Sequence, residues 1–182
     1  MEFNMNRYFK YALLLVLAVL IGETHAGAVP AKQIVRPQKL GSYIAAGAIV
    51  GGNAGKIFSL LRVQKMLLAG GVERIIFTYG DQDGVPLKTQ PGYFHLSLDQ
   101  AGERLVLDLS QVLKTAIDQQ DLIKELRGSH LVAKTDMSMD PQDGTTNITL
   151  FMRAPVETRA QIEPSEEKQN QLVIDIRPVS KH

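Results

Sequence analysis

Arg104-Leu-Val-Leu-Asp-Leu-Ser110 reads as a β-strand, and the chain repeats it as Gln171-Leu-Val-Ile-Asp-Ile-Arg177. Leu105, Leu107 and Leu109 fall on one face of an extended chain, with Val106, Asp108 and Ser110 on the other. The second copy sets Leu172, Ile174 and Ile176 against Val173, Asp175 and Arg177. Successive side chains of a strand point to opposite faces, so this alternation marks a half-buried strand. Two matched copies about 67 residues apart point to an internal duplication.

The likeness extends upstream in the same order. Ile57-Phe-Ser-Leu-Leu-Arg62 aligns with Leu122-Ile-Lys-Glu-Leu-Arg127, and Arg74-Ile-Ile-Phe-Thr-Tyr79 with Asn147-Ile-Thr-Leu-Phe-Met152. Tyr93-Phe-His-Leu-Ser-Leu98 aligns more loosely with Arg159-Ala-Gln-Ile-Glu163. Each half, about 56–112 and 121–179, thus carries four short elements ending in the Leu-Val-x-Asp strand. Strands are predicted over 58–67, 72–79, 93–98, 104–110, 145–153, 157–163 and 171–176, with weaker alternation over 131–139. Gly70-Gly71, Gln100-Ala-Gly102 and Asp140-Pro-Gln-Asp-Gly144 mark turns between them. Over 111–126 a partial helical period competes with the repeat of the first strand. Many short strands between turn signals predict an all-β sandwich of two pseudo-symmetric sheets over 56–180, long enough to bury one core.

The N-terminus reads as a secretory signal over 1–26. Arg7 and Lys10 precede an apolar run from Ala12 to Ile21, and Thr24-His25-Ala26 and Ala26-Gly27-Ala28 place small residues at cleavage offsets. The run falls short of the roughly 20 residues that span a bilayer, although an uncleaved anchor is the alternative. There is no cysteine, so neither a disulfide nor a lipid-modified N-terminal cysteine is available. A secreted chain of this kind is expected in the bacterial periplasm. The 182 residues carry a formal net charge of +1 and no tryptophan, which argues against a nucleic-acid partner.

Residues 27–55 read as a flexible Gly- and Pro-containing leader. Gly51-Gly52-Asn53-Ala54-Gly55-Lys56 resembles a phosphate-binding loop, but Val50 stands where the first glycine belongs and Ile57 replaces the Mg²⁺-binding hydroxyl. No other motif carries chemistry. His25, His95, His130 and His182 are scattered, so no metal site is expected. Asp81-Gln-Asp83-Gly84 lacks the later ligands of a calcium loop and reads as a turn. No nucleophile has a neighbouring base, so no catalytic residue, cofactor or enzymatic activity is expected. Asp108 and Asp175 occupy matching positions, as do Arg62 and Arg127, which raises the expectation of repeat-related ion pairs or capping bonds between them.

Two β-repeats, each ending in Leu-Val-(Leu/Ile)-Asp-(Leu/Ile) and each opened by an apolar stretch closing in Leu-Arg, resemble the AMIN domain. The resemblance covers about 56–179. It implies a sandwich of two symmetry-related four-stranded sheets and a non-catalytic periplasmic module that targets proteins to the cell wall, with peptidoglycan as ligand. Under that reading Arg62 and Arg127 would hold carboxylates of wall peptide stems through planar bidentate donors. Tyr79 and Tyr93 would add aromatic contacts. The alternative is a structural subunit of a pilus or secretion machine, binding protein partners of that machine or of a division complex, whose exposed sheet edge takes another protein's strand.

Overall fold

The computed structural model describes residues 40–53, 57–110, 112–140, 142, 144–164 and 169–179. The expected signal, 1–26, and residues 27–39 lie outside them. The described chain forms β1 (Gly47–Gly51), β2 (Phe58–Leu67), β3 (Glu73–Gly80), β4 (Phe94–Leu98), β5 (Arg104–Leu109) and β6 (Val112–Thr115). Helix α1 (Gln119–Leu126) follows, then β7 (Val132–Met139), β8 (Thr146–Met152), β9 (Val156–Pro164) and β10 (Asn170–Pro178). One sheet has the order β1-β4-β5-β8-β7 and the other β6-β2-β3-β10-β9. The fold is the expected all-β sandwich. Leu105, Leu107 and Leu109 are buried between the sheets, as are Leu172, Ile174 and Ile176.

The two halves exchange hairpins. In each half the first two strands form one hairpin and the last two another, and each sheet takes one hairpin from each half. The fourth strand of either half pairs with the second strand of the other, β5 with β8 and β10 with β3. Leu107 faces Ile148 as Ile174 faces Ile75, and Asp108 faces Asn147 as Asp175 faces Arg74. These registers coincide under the shifts read from sequence, 67 residues for β5 to β10 and 73 for β3 to β8.

One alignment needs correction. Leu122–Arg127 ends a helix, and the counterpart of β2 is β7. Asp118 starts the helix with a capping box, accepting from Gln120 N and Asp121 N while Asp121 accepts from Asp118 N. Leu122 and Leu126, four apart, put one helical face into the core.

The Gly-rich stretch is also more than a leader. Residues 47–51 are an edge strand on β4, with Ile49 fully buried, and Ile44 exchanges backbone hydrogen bonds with Thr158 of β9. The packed domain therefore begins well before residue 56. The glycines allow close backbone approach. A Cβ on Gly52 would lie 2.0 Å from the Gly92 carbonyl oxygen, and one on Gly92 1.5 Å from the Phe58 ring.

The expected pairing of Arg62 and Arg127 with the repeated aspartates is not what forms. Asp175, fully buried, takes a bidentate pair from Arg74 (2.7 and 3.0 Å) and two further bonds from Arg159 (2.9 and 2.7 Å). These arginines lie on β3 and β9, the strands flanking β10. Arg62 lies on β2, one strand too far, and Arg127 follows α1. Asp108 is flanked instead by His95 and Asn147 and accepts from Ser110 Oγ. Burial alone would raise the Asp175 carboxyl, but the hydrogen bonds from Arg74 and Arg159 outweigh it and hold the group below the usual carboxylate range.

Two predictions follow from packing and charge. Gly92→Ala forces Phe58 and its surroundings apart and lowers unfolding stability by about 1–3 kcal/mol in urea titration. A carboxyl with a depressed folded pKa stabilises the fold above the unfolded value, about 3.9, and loses that contribution as pH falls through the folded value. Asp175→Asn is therefore less stable than the wild type by about 2–4 kcal/mol at neutral pH. The two melting curves converge on acidification below the usual aspartate range.

Candidate functional site

Helix α1 lies along one open side of the sandwich and bridges the edges of both sheets by side chains. Glu125 accepts the outward N–H of Lys65 on β2 at 2.9 Å, and Gln119 donates Nε2 to the outward carbonyl of Thr135 on β7 at 3.0 Å. The Lys65 ammonium reaches the Arg127 carbonyl at 3.1 Å. Between α1 and β7 a groove of about 440 Å³ remains. Its floor includes Leu126 and Val132, and Gln119, Ile123 and Arg127 form the helical wall. Ala133, Lys134, Thr135 and Asp136 form the strand wall, and Arg153 closes one end.

The groove is built by the turn after α1. Gly128 adopts φ 74°, which lets the chain reverse out of the helix. The buried Glu73 on β3 then holds that turn, accepting from the Ser129 hydroxyl and, at 2.6 Å, from His130 N. Ser129 Oγ in turn accepts from Val132 N at 2.7 Å and Leu131 N at 3.2 Å, which starts β7. The strand then carries a bulge between Val132 and Lys134. That irregularity explains the weak alternation over 131–139, since an extra residue shifts every later side chain by one face.

Three cations, Arg127, Lys134 and Arg153, surround the groove against one carboxylate, Asp136. Lys134 also lies over the Phe151 ring, 5.4 Å from its centre. Gln119 Oε1 is buried with no hydrogen-bond partner. An acceptor lacking a donor beside a cationic rim suits a ligand that carries both an N–H and a carboxylate, as a peptide does.

Of the residues singled out by sequence, Arg127 lines this groove. Arg62 is exposed on β2 outside it, and Tyr93 is half-buried beside β4. Tyr79 is not on a surface: it is 1% exposed, and its ring meets Phe58 edge-on at 5.1 Å. Burial pushes its phenol far above the usual tyrosine range. Sequence reasoning missed Gln119, Lys134 and Arg153, which come from separate elements and share no motif. The Asp81 segment forms a turn, with Asp81 Oδ1 accepting from Asp83 N and Val85 N, both at 2.9 Å. Among the described residues no cluster of His, Asp and Glu is placed to hold a metal, and no helix is long and apolar enough to cross a membrane.

Compared with known proteins, the chain matches no family model, no curated protein and no solved structure.

The Glu73–Ser129 contact yields a prediction. Ser129→Ala removes a donor from a buried carboxylate and an acceptor from two backbone amides, so stability falls by about 1–3 kcal/mol. Faster amide exchange at Leu131 and Val132 would accompany it.

Proposed function

We propose that the protein is a non-catalytic binding module of the bacterial cell envelope, acting in the periplasm, with peptidoglycan as its ligand. The observation that carries this reading is the α1–β7 groove, which Arg127, Lys134 and Arg153 line together with Gln119, whose buried side-chain oxygen has no hydrogen-bond partner. Wall peptide stems present carboxylates and amide N–H groups at the spacing of a short peptide. Guanidinium groups bind carboxylates through paired N–H donors, which gives direction as well as charge. The Gln119 oxygen would accept a stem amide, and Ile123, 38% exposed, offers an apolar contact. The AMIN-like duplication supports the same reading. The resemblance implies two symmetry-related four-stranded sheets, and the exchanged hairpins form two such sheets, each with one added edge strand.

Co-sedimentation of the chain from Gly27 with isolated sacculi, across a salt series, tests the reading. Saturable pelleting that survives moderate salt is expected, because a bidentate contact is screened less than diffuse attraction. Replacing Arg127 and Arg153 together by alanine should weaken pelleting by about tenfold or more. Arg62→Ala, outside the groove, should leave it unchanged. Absence of pelleting, or pelleting that vanishes at modest salt in the wild type, would reject peptidoglycan as the ligand.

A further inference from the structure

The duplication leaves the edge strand β6 without a counterpart in the second half. β6 follows β5, crosses to the other sheet and pairs in parallel with β2, the first strand of its half, through Phe58↔Val112 and Leu60↔Thr115. The first strand of the second half is β7, and among the described residues no strand lies on its outer edge. The groove occupies that place. Gln119 makes one bond that a neighbouring strand would make, from Nε2 to the Thr135 carbonyl, and its own oxygen is left without a donor.

The same bond sets the phase of the edge. Thr135 turns its peptide groups away from β8, and pairing is regular from Lys134 to Met139. Alternation then directs the N–H and C=O of Met137 outward as well. The side chains of Lys134 and Asp136 stand exposed on the outer face, with Arg127 and Arg153 nearby in the groove wall.

We propose that the β7 edge accepts an extended acidic segment of a partner protein as a sixth strand of its sheet. The strand runs parallel to β7, as β6 runs parallel to β2. Its N–H groups take the Thr135 and Met137 carbonyls, and the first of these displaces the Gln119 amide. Main-chain bonds supply affinity without regard to side chains, and the excess of cations selects acidic residues over basic ones. This goes beyond the wall-binding reading, because the occupant is a protein and the determinant is the strand edge.

The test uses the purified protein, isotope-labelled, and a synthetic end-blocked peptide of about ten residues alternating glutamate and valine. Its partner probe is the same peptide with lysine for glutamate. Saturable binding of the acidic peptide is expected, with slowed amide exchange at Met137 and shift changes confined to β7 and α1. Met137→Pro removes the outward N–H and leaves the β8 ladder intact, so affinity should fall about tenfold. If that variant does not fold, the exposed pair R127E and R153E takes its place, with the same fall expected and melting unchanged. A spin label on the peptide's N-terminus should broaden signals near Val132. No saturable binding, binding without slowed exchange on β7, or equal binding of the lysine peptide overturns the proposal. Broadening near Met139 instead overturns the parallel direction. Peptide binding without sacculus pelleting would uphold the strand site and reject the wall ligand, and the converse result would do the reverse.

Discussion

Two ladders hold the molecule together, β5 with β8 and β10 with β3. Each joins the fourth strand of one half to the second strand of the other. Neither half can complete a sheet alone, because its two hairpins belong to different sheets. The core forms only when both halves are present, with Leu107 against Ile148 in one sheet and Ile174 against Ile75 in the other. Unfolding should therefore be cooperative across the domain, since opening either ladder exposes apolar faces of both halves.

Once these ladders are in place, the open edges become the remaining problem. Exposed strand edges invite further pairing, and this chain treats its edges unequally. β6 covers part of β2, and β1 covers β4. Ile44 bonds along β9, and Tyr43 stacks on Arg177 and Arg159, its ring 3.9 and 4.9 Å from their guanidinium carbons. At β7 the cover comes from side chains of α1. Side chains satisfy a few backbone groups and leave a groove, whereas a strand would satisfy a whole row. The candidate site lies on an edge that lacks the added strand its counterpart carries.

The repeated aspartate shows how far symmetry of sequence extends. Asp108 and Asp175 sit at equivalent places in equivalent ladders. Asp175 meets partly exposed arginines on both neighbouring strands and is itself fully buried, while Asp108 meets His95 and Asn147 and stays partly exposed. A buried carboxylate persists only where opposite charge and hydrogen bonds offset its lost hydration. The neighbours supply that at one copy, although both copies share the same Leu-Val-x-Asp pattern.

Alternation of apolar residues was enough to locate most strands and the register of the duplication, because a strand's faces are set by its own residues. It failed at β1, where Gly51 and the following Gly52 report a close approach to Phe94 and Gly92 that no local pattern announces. It failed also at Leu122–Arg127, where a capping box and the buried pair Leu122 and Leu126 decide for helix. Arg127 was legible as a candidate, but its companions Gln119, Lys134 and Arg153 were not. Their meeting depends on the turn held by Glu73 and on where α1 docks. By itself the sequence determined the strands, their inward faces and the duplication, all of them local periodicities. Tertiary structure alone decided Asp175's partners, the burial of Tyr79 and the groove beside β7, because each arises where separate elements come together.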